Sequence, residues 1–478
     1  MAQRQQQIAA LRASGIEPYL DPDGTVHDQS YVFTEPDDSA PLIDAVPMTS
    51  EQITVKGRLI QLNNLGKLKF LFLRCTDCDV QVCVSAIQTP AAANLLKFVS
   101  LGDHLQVIGH RARTTRGSDV LFAREIKITS KMIRPLPGKA YNVNVDDEWR
   151  ANNRVADMLM NRQQLTRLRA RAAMLHSIRQ VLHFFNFLEV ETSMLSQIAS
   201  GATAKPFMTH HNALNKDMSL RIAPELDLKR LIIAGFDRVY ELGRVFRNEG
   251  IDKTHNPEFT TLEIYGAHFS IKMMINVLQH LMRSSARAVS RVMPETKDNV
   301  SRFETDFAIV SMRSLVREVC CESPITADER PSIAEIEALP AYASVSLSRK
   351  IDDYGEALQA LFEAYAEKTL IEPTIVSDHP ASLSPLAKHD GVIADRFELY
   401  VNGFEIANAY VEQADAEKQR AAFVAQAEKN ASTPDMRYCD DLELGLPPTV
   451  GLGIGIDRLM MIMSNSQSIR EVIAFPTK

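Results

Sequence analysis

From Ile53 to Ile128 the apolar residues recur at every second position in five short runs. Ile53, Val55 and Leu59 form the first and Phe70 and Phe72 the second. Val80, Val82 and Val84 follow, then Leu105 and Val107, then Leu121 with Ile126 and Ile128 after it. Alternation puts successive side chains on opposite faces, so each run can bury only one face. Short strands of this kind protect their edges best by closing on one another, which predicts a small OB-type barrel over residues 51–138.

The spacing differs on either side. Ile8, Leu11 and Ile16 predict a short helix, and a Pro/Asp-rich connector completes residues 1–50. Arg134-Pro-Leu-Pro-Gly138 reads as a stiff exit, with a linker over 139–160. Leu165, Leu168, Leu175, Ile178, Leu182 and Phe185 then share one helical stripe. Beyond Phe187, strand-like segments alternate with helices such as Ser270–Val292 and Ala414–Lys429. The expected architecture is α+β: a barrel, then an antiparallel sheet flanked by helices over 161–478.

The chain of 478 residues has a net charge of -7, which disfavours a generic nucleic-acid binder. The total conceals a split. Residues 51–140 carry +8, residues 1–50 carry -6 and the remainder carries -9. The barrel segment alone can attract phosphates. No run of apolar residues is long enough to span a membrane, and the polar start lacks a signal core, so a cytoplasmic protein is expected. Cys75-x-x-Cys78 has no second metal-ligand pair at finger spacing, so reduced thiols at a hairpin turn are expected rather than zinc.

Chemistry is densest in two places. Phe246-Arg247-Asn248-Glu249-Gly250 and His255-Asn256-Pro257-Glu258-Phe259-Thr260 read as two strands around a turn, with Arg247 and His255 facing one ligand. A guanidinium fork suits phosphate or carboxylate, and Phe259 offers a face for a base. Gly451-Leu-Gly453-Ile-Gly455-Ile-Asp457-Arg458 lacks the third glycine of a dinucleotide fingerprint. It reads as a buried strand whose glycines admit a ligand, delivering Arg458 at a helix start.

These two segments resemble motifs 2 and 3 of class II aminoacyl-tRNA synthetases, and further blocks are similar to lysyl-tRNA synthetases in the same order. Those blocks are Leu11–Tyr19, Arg134–Pro137, Ser200–Phe207, Thr209–Ala213, Leu220–Leu226, Ser384–Lys388 and Asp395–Glu398. The resemblance implies lysine activation by ATP and transfer to tRNA-Lys. It implies Arg247 on the α-phosphate and amino-acid carboxylate, Arg458 and His255 on the γ-phosphate, and Phe259, Glu249 and Asn256 around the adenosine. Glu398 and Glu405 would bind Mg²⁺. Seven residues apart, they could share a helix face, but Asn402-Gly403 between them reads as a hairpin turn that pairs two strand carboxylates. Glu263 and Glu412 would meet the substrate ε-ammonium, with Tyr265 hydrogen-bonding and Tyr410 packing its stem. Glu225 and Gly201 would take the α-amino group, with Asn408 near the carboxylate; Phe70 and Gln81 would touch the anticodon. A homodimer is implied through Phe187–Ser193, which resembles motif 1.

Several positions depart from that pattern. Ser193 stands for a proline, Asn63 for an arginine and Ser118 for a glutamate. Cys75-Thr-Asp-Cys78 occupies a turn that is usually polar and ends in glycine. Ser219 and Asp227 replace tyrosines, Phe404 a basic residue and Val411 a small hydroxyl residue. The pattern predicts that lysine activation survives with altered tRNA discrimination. Two other readings stay open: a paralogue that activates lysine or an analogue for another acceptor, and a non-catalytic RNA-binding regulator.

Overall fold

The computed structural model describes residues 1–21, 39–46, 51–76, 78–137, 146–198, 201–202, 204–320, 333–343, 345, 351, 353–430 and 434–477. They form two compact units, Met1–Arg162 and Gln163–Lys478. The predicted connector at 22–38, the whole of 138–145 and Cys321 lie outside the described residues.

In the first unit, β1 (Ile53–Leu65), β2 (Leu68–Arg74), β3 (Asp79–Ser85), β4 (His104–Arg113) and β5 (Asp119–Ser130) close in the order β1-β2-β3-β5-β4. Val55, Leu59, Leu71, Leu73, Val80, Val82, Val84, Leu105 and Val107 point into its core with Leu121, Ile126 and Ile128. The parity change between Leu121 and Ile126 is a bulge. Ile108 pairs with Glu125 but Gly109 pairs with Ala123, so the extra residue bends β5 as closure requires. The turn between β2 and β3 carries the two cysteines, and the Cys75 amide donates to the Cys78 carbonyl at 3.0 Å. On the opposite side of the barrel wall, Ile43 and Val46 pack with Phe70, Cys83, Ala112, Val120 and Phe122.

In the second unit, β6 (Leu188–Glu189), β7 (Leu195–Ser196), β8 (Met208–His211), β9 (Lys216–Leu220), β10 (Arg238–Phe246), β11 (Glu258–Ala267), β12 (Ala308–Ser311), β13 (Thr374–Ser377), β14 (Arg396–Val401), β15 (Phe404–Val411) and β16 (Thr449–Gly455) build two sheets. The larger runs β12-β13-β14-β15-β16-β11-β10-β6, and β7-β9-β8 forms a small one. The large sheet is antiparallel through its middle and parallel only at its outermost pairs, β12 with β13 and β10 with β6. Leu262, Ile264, Val450, Leu452, Ile454, Ala407 and Ala409 face helices Arg162–Phe184, Ile271–Val292 and Ile456–Met463 in one core. In the first of these the buried line is Ala170, Met174, Ile178 and Leu182. The predicted stripe is therefore rotated: Leu165 and Leu168 are only half-buried. The other two predicted helices run Ile271–Val292, capped by Ser270, and Ala416–Asn430. Among the described residues no helix is long and apolar enough to cross a membrane.

One polar contact ties the barrel's last strand to the turn before β4. Lys131 Nζ lies 2.5 Å from Asp103 Oδ2, both side chains fully buried. Asp103 also accepts from the amides of Ser100 at 2.7 Å and Met132 at 2.9 Å. Asp103→Ala leaves the Lys131 ammonium its hydrogen bond to the Phe98 carbonyl at 2.6 Å but no countercharge, so the barrel should lose about 3 kcal/mol. Hydrogen exchange of the β4 and β5 amides measures this, and unchanged protection would count against it.

Candidate active site

Alternation on the three central strands leaves one face polar. Across β11, β16 and β15, Glu263, Gly453 and Asn408 stand in one row, and Tyr265, Gly451 and Tyr410 in the next. Because the middle strand presents glycine in both rows, the larger side chains on either side bound a trough. A methyl at Gly451 would overlap Glu412 Oε1 and stand 2.6 Å from Tyr265 Cε1. At Gly453 a methyl would meet nothing closer than 3.9 Å, so that glycine forms an open floor. A cavity of about 1200 Å³ lies over this trough.

One end is cationic. Arg247 follows β10, and its guanidinium lies 5.2 Å from the Phe259 ring centroid. Burial holds Arg247 below its ordinary pKa, Glu249, Glu263 and Glu405 oppose this, and Arg458 adds to it. The β10–β11 turn is organised by Asp252, whose Oδ1 accepts from the amides of Thr254 at 2.6 Å and His255 at 2.8 Å. Arg458 donates to His255 Nε2 at 2.9 Å, and His255 Nδ1 lies 2.8 Å from Asp252 Oδ2. A guanidinium can only donate, so Nε2 accepts and the ring proton sits on Nδ1, toward Asp252. Arg458 itself is placed by its neighbour. Asp457 accepts from the Thr260 amide at 2.7 Å and pairs with Arg171 at 2.5 Å.

Two acids lie beside that end. Asn402 and Gly403 take φ of 55° and 69°, making the β14–β15 connection the hairpin turn that their sequence suggested. A register shift then sets Ile406 and Ala407 both into the core, which returns Glu405 to the cavity face. Burial and the neighbouring Glu398 push Glu405 up to about 7. Glu398 is buried too, but Arg396, His379 and the Tyr400 hydroxyl at 2.6 Å hold it below the usual carboxylate range. Arg396 also donates to Asn408 Oδ1 at 3.0 Å.

The other end is a buried acidic cluster. Tyr265 donates to Glu263 Oε2 at 2.9 Å. Burial and Glu225 push Glu263 up to about 8, against the pull of Tyr265, Arg247 and Lys229. Glu225 opens the helix Glu225–Ile233, and its Oε1 accepts from both Tyr410 and Lys229 at 2.6 Å. Lys229 also pairs with Glu412 Oε2. Burial raises Glu412 to about 8, with Lys229 opposing and Glu225 adding.

Gly201, Glu225, Arg247, Glu249, His255, Asn256, Phe259, Glu263, Tyr265, Glu405, Asn408, Tyr410 and Arg458 all line this one cavity. Glu398 and Glu412 stand at its wall: Glu398 neighbours Glu405, and Glu412 Oε1 reaches the space that a methyl on Gly451 would fill. Glu398 is held by Arg396 and Tyr400, and Glu412, 2% exposed, pairs with Lys229. Phe70 and Gln81 belong to the barrel, on adjacent strands, with Phe70 opposite Asn63. Sequence reasoning missed Lys229, Arg396 and Arg171. The Glu225-x-x-x-Lys229 spacing was a usable signal for the first, and the Asp395–Glu398 block held the second.

The family model for class II tRNA synthetases (D, K and N) matches residues 146–478. The "Lysine--tRNA ligase" of Streptococcus pneumoniae serotype 4 is 37% identical over 487 residues, covering 99% of this chain and 97% of that protein. That of Enterococcus faecalis is 36% identical over 489 residues, covering 100% and 97%. That of Streptococcus pyogenes serotype M3 is 37% identical, covering 99% and 96%. With the barrel, the antiparallel sheet and the trough between Arg247 and Glu263, this chain belongs to the lysine-tRNA ligase family of class II tRNA synthetases.

Proposed function

We propose that the protein activates L-lysine with ATP and transfers the lysyl group to tRNA-Lys. The observation that carries the lysine assignment is Glu263, a carboxylate at the end of the cavity that burial, with Glu225 beside it, raises to about 8. An ammonium supplies that charge, whereas a neutral side chain leaves the acid unpaired.

Lysine lying along the trough would put its ε-ammonium at Glu263 and Tyr265, its stem against Tyr410 and its α-ammonium at Glu225 and Gly201. Arg247 would hold the carboxylate against the α-phosphate, with Asn408 beside it. Its Nε is buried without a hydrogen bond within the protein, which supports a ligand-facing role. Arg458 and His255 would hold the γ-phosphate, Phe259 would stack on adenine, and Glu249 and Asn256 would border the nucleotide. Asn256 Oδ1 is likewise buried without a protein partner. A lysine carboxylate oxygen then bonds to the α-phosphorus as its bond to the pyrophosphate oxygen breaks. A tRNA 3′ hydroxyl takes the lysyl group and AMP leaves. No side-chain nucleophile is required; positioning and charge carry the rate.

Two hard carboxylates would suit Mg²⁺: Glu405, which lines the cavity, and its neighbour Glu398, which Arg396 and Tyr400 hold in place. Glu398 and Glu405 would hold the ion, which when bound neutralises phosphate oxygens. We place the anticodon on the barrel, at Phe70 and Gln81, and a dimer contact along the segment before Ser193. Phe184 and Leu188, 74% and 51% exposed, leave apolar area there for a second copy. The protein would work as a cytoplasmic homodimer.

Lysine-dependent exchange of pyrophosphate into ATP tests the reading, and its absence at millimolar lysine would sink it. The exchange should also depend on pH. Glu263, ordinarily ionised above pH 5, is protonated below about 8 in the free protein. Lysine binding must expel that proton, so affinity for lysine should climb from pH 6 to about 8. It should fall again near pH 10, where the ligand's own ammonium deprotonates. Calorimetry in buffers of different ionisation enthalpy should show proton release at pH 7; a flat profile without release contradicts it. On the barrel, Asn63→Arg should lower the KM for transcript tRNA-Lys several-fold, since it adds a cation opposite Phe70. An unchanged KM would remove Asn63 from recognition.

A further inference from the structure

The proposed chemistry uses Glu225 and Glu263 but has no role for Lys229, an ammonium held at 1% exposure. Lys229 lies one helical turn beyond Glu225, so both side chains leave the same face of the helix Glu225–Ile233. Its Nζ pairs with Glu225 Oε1 at 2.6 Å and with Glu412 Oε2. It also stands 5.5 Å from the Tyr410 ring centroid and 5.9 Å from that of Tyr438. Lys229 does not line the cavity; it stands behind two residues that do, Glu225 and Tyr410.

We propose that Lys229 is a positioning residue that sets amino-acid specificity: an internal countercharge that holds the carboxylates of Glu225 and Glu412 in place at the end of the trough, leaving Glu263 short of a cation until a side-chain ammonium arrives. The inference rests on reading the cavity as a lysine site. Three carboxylic acids face two internal cations, Lys229 and Arg247, so one acid, Glu263, lacks a cation and keeps its proton until the net positive charge of lysine arrives. Burial alone would drive the Lys229 ammonium to lose its proton, but Glu225 and Glu412 outweigh it and hold Lys229 above its ordinary value. The cluster is thus an ion triad, and removing its cation orphans two buried acids. Glu412 Oε2 pairs with Lys229, while its Oε1 reaches the space that a methyl on Gly451 would fill. Among the described residues Glu225 would keep the Tyr410 hydroxyl as its hydrogen-bond partner, and it would lose its fixed orientation toward the α-amino group.

The test uses the full chain and pyrophosphate exchange at saturating ATP. In Lys229→Ala the KM for lysine should rise about tenfold or more while kcat falls less, because the lost interaction acts on substrate binding. Added n-propylammonium, which replaces the deleted side chain and its charge, should lower that KM; n-propanol, alike in shape but neutral, should not. Lys229→Met, neutral and of similar length, should resemble the alanine variant, and Lys229→Arg, which keeps the charge beside both acids, should stay within about fivefold of wild type. If the neutral variants do not fold, Lys229→Arg decides alone, and a tenfold rise in its KM overturns the proposal. Neutral variants with wild-type KM, or rescue by propanol equal to that by the ammonium, overturn it as well. Wild-type protein without lysine-dependent exchange removes the lysine reading itself. A wild type that exchanges beside indifferent neutral Lys229 variants removes only the role of Lys229.

Discussion

Glu225, Glu263 and Glu412 are carboxylates taken out of water together, and the surrounding structure is arranged around the cost of that desolvation. Lys229 and Arg247 compensate part of the charge, and the hydroxyls of Tyr265 and Tyr410 bind the acid oxygens. Gly451 lets Glu412 approach the sheet, and Gly453 keeps the floor open for a ligand. One acid is left without a cation, and on the proposed reading that surplus selects the ligand. At the opposite end the balance is reversed: Arg247 and Arg458 converge, and Asp252 orients the histidine that meets Arg458. A molecule with an ammonium at one end and phosphates at the other matches this gradient of charge.

Much of this was legible because strands expose a period of two. The barrel followed from alternation, and the β14–β15 hairpin from Asn402-Gly403, which the structure confirms with two positive φ values. What stayed hidden has a common cause. The bulge that aims Glu405 at the cavity lies at Ile406-Ala407, two apolar residues that look ordinary in sequence. The core line of the first long helix runs through Ala170 and Met174 rather than Leu165 and Leu168, because sheet contact, not hydrophobicity, selects the face. Arg171 reaches Asp457 across a long stretch of chain, and no local pattern encodes such a contact. Lys229 was visible as a spacing, but Glu-x-x-x-Lys pairs ordinarily decorate helix surfaces, and only burial distinguishes this one.

The departures from the family pattern sort by place. Asp227, where a tyrosine is usual, pairs with Arg230, which also binds Asp435 and Asp441; the substitution is absorbed in an ion-pair cluster. Ser219 donates to the Ser196 carbonyl at 3.3 Å, and Val411 packs against the main core. Ser193 is exposed beside Thr192, whose amide and hydroxyl bind Glu241, so that segment is tied to β10 without the proline. Asn63 and Ser118 stand instead on the barrel surface, where no core packing compensates for them. Net charge misled for a related reason: the barrel is basic, the cavity's far end is acidic, and their sum describes neither.

The central claim is that an unpaired charge, rather than side-chain shape, selects the amino acid. Comparing pyrophosphate exchange with lysine and with 6-hydroxynorleucine, which keeps the length and a hydrogen-bond donor but has no charge, tests it directly. The account predicts that kcat/KM for the hydroxyl analogue falls by about a thousandfold or more, as expected when a buried carboxylate loses its cation. Exchange within tenfold of lysine would contradict it.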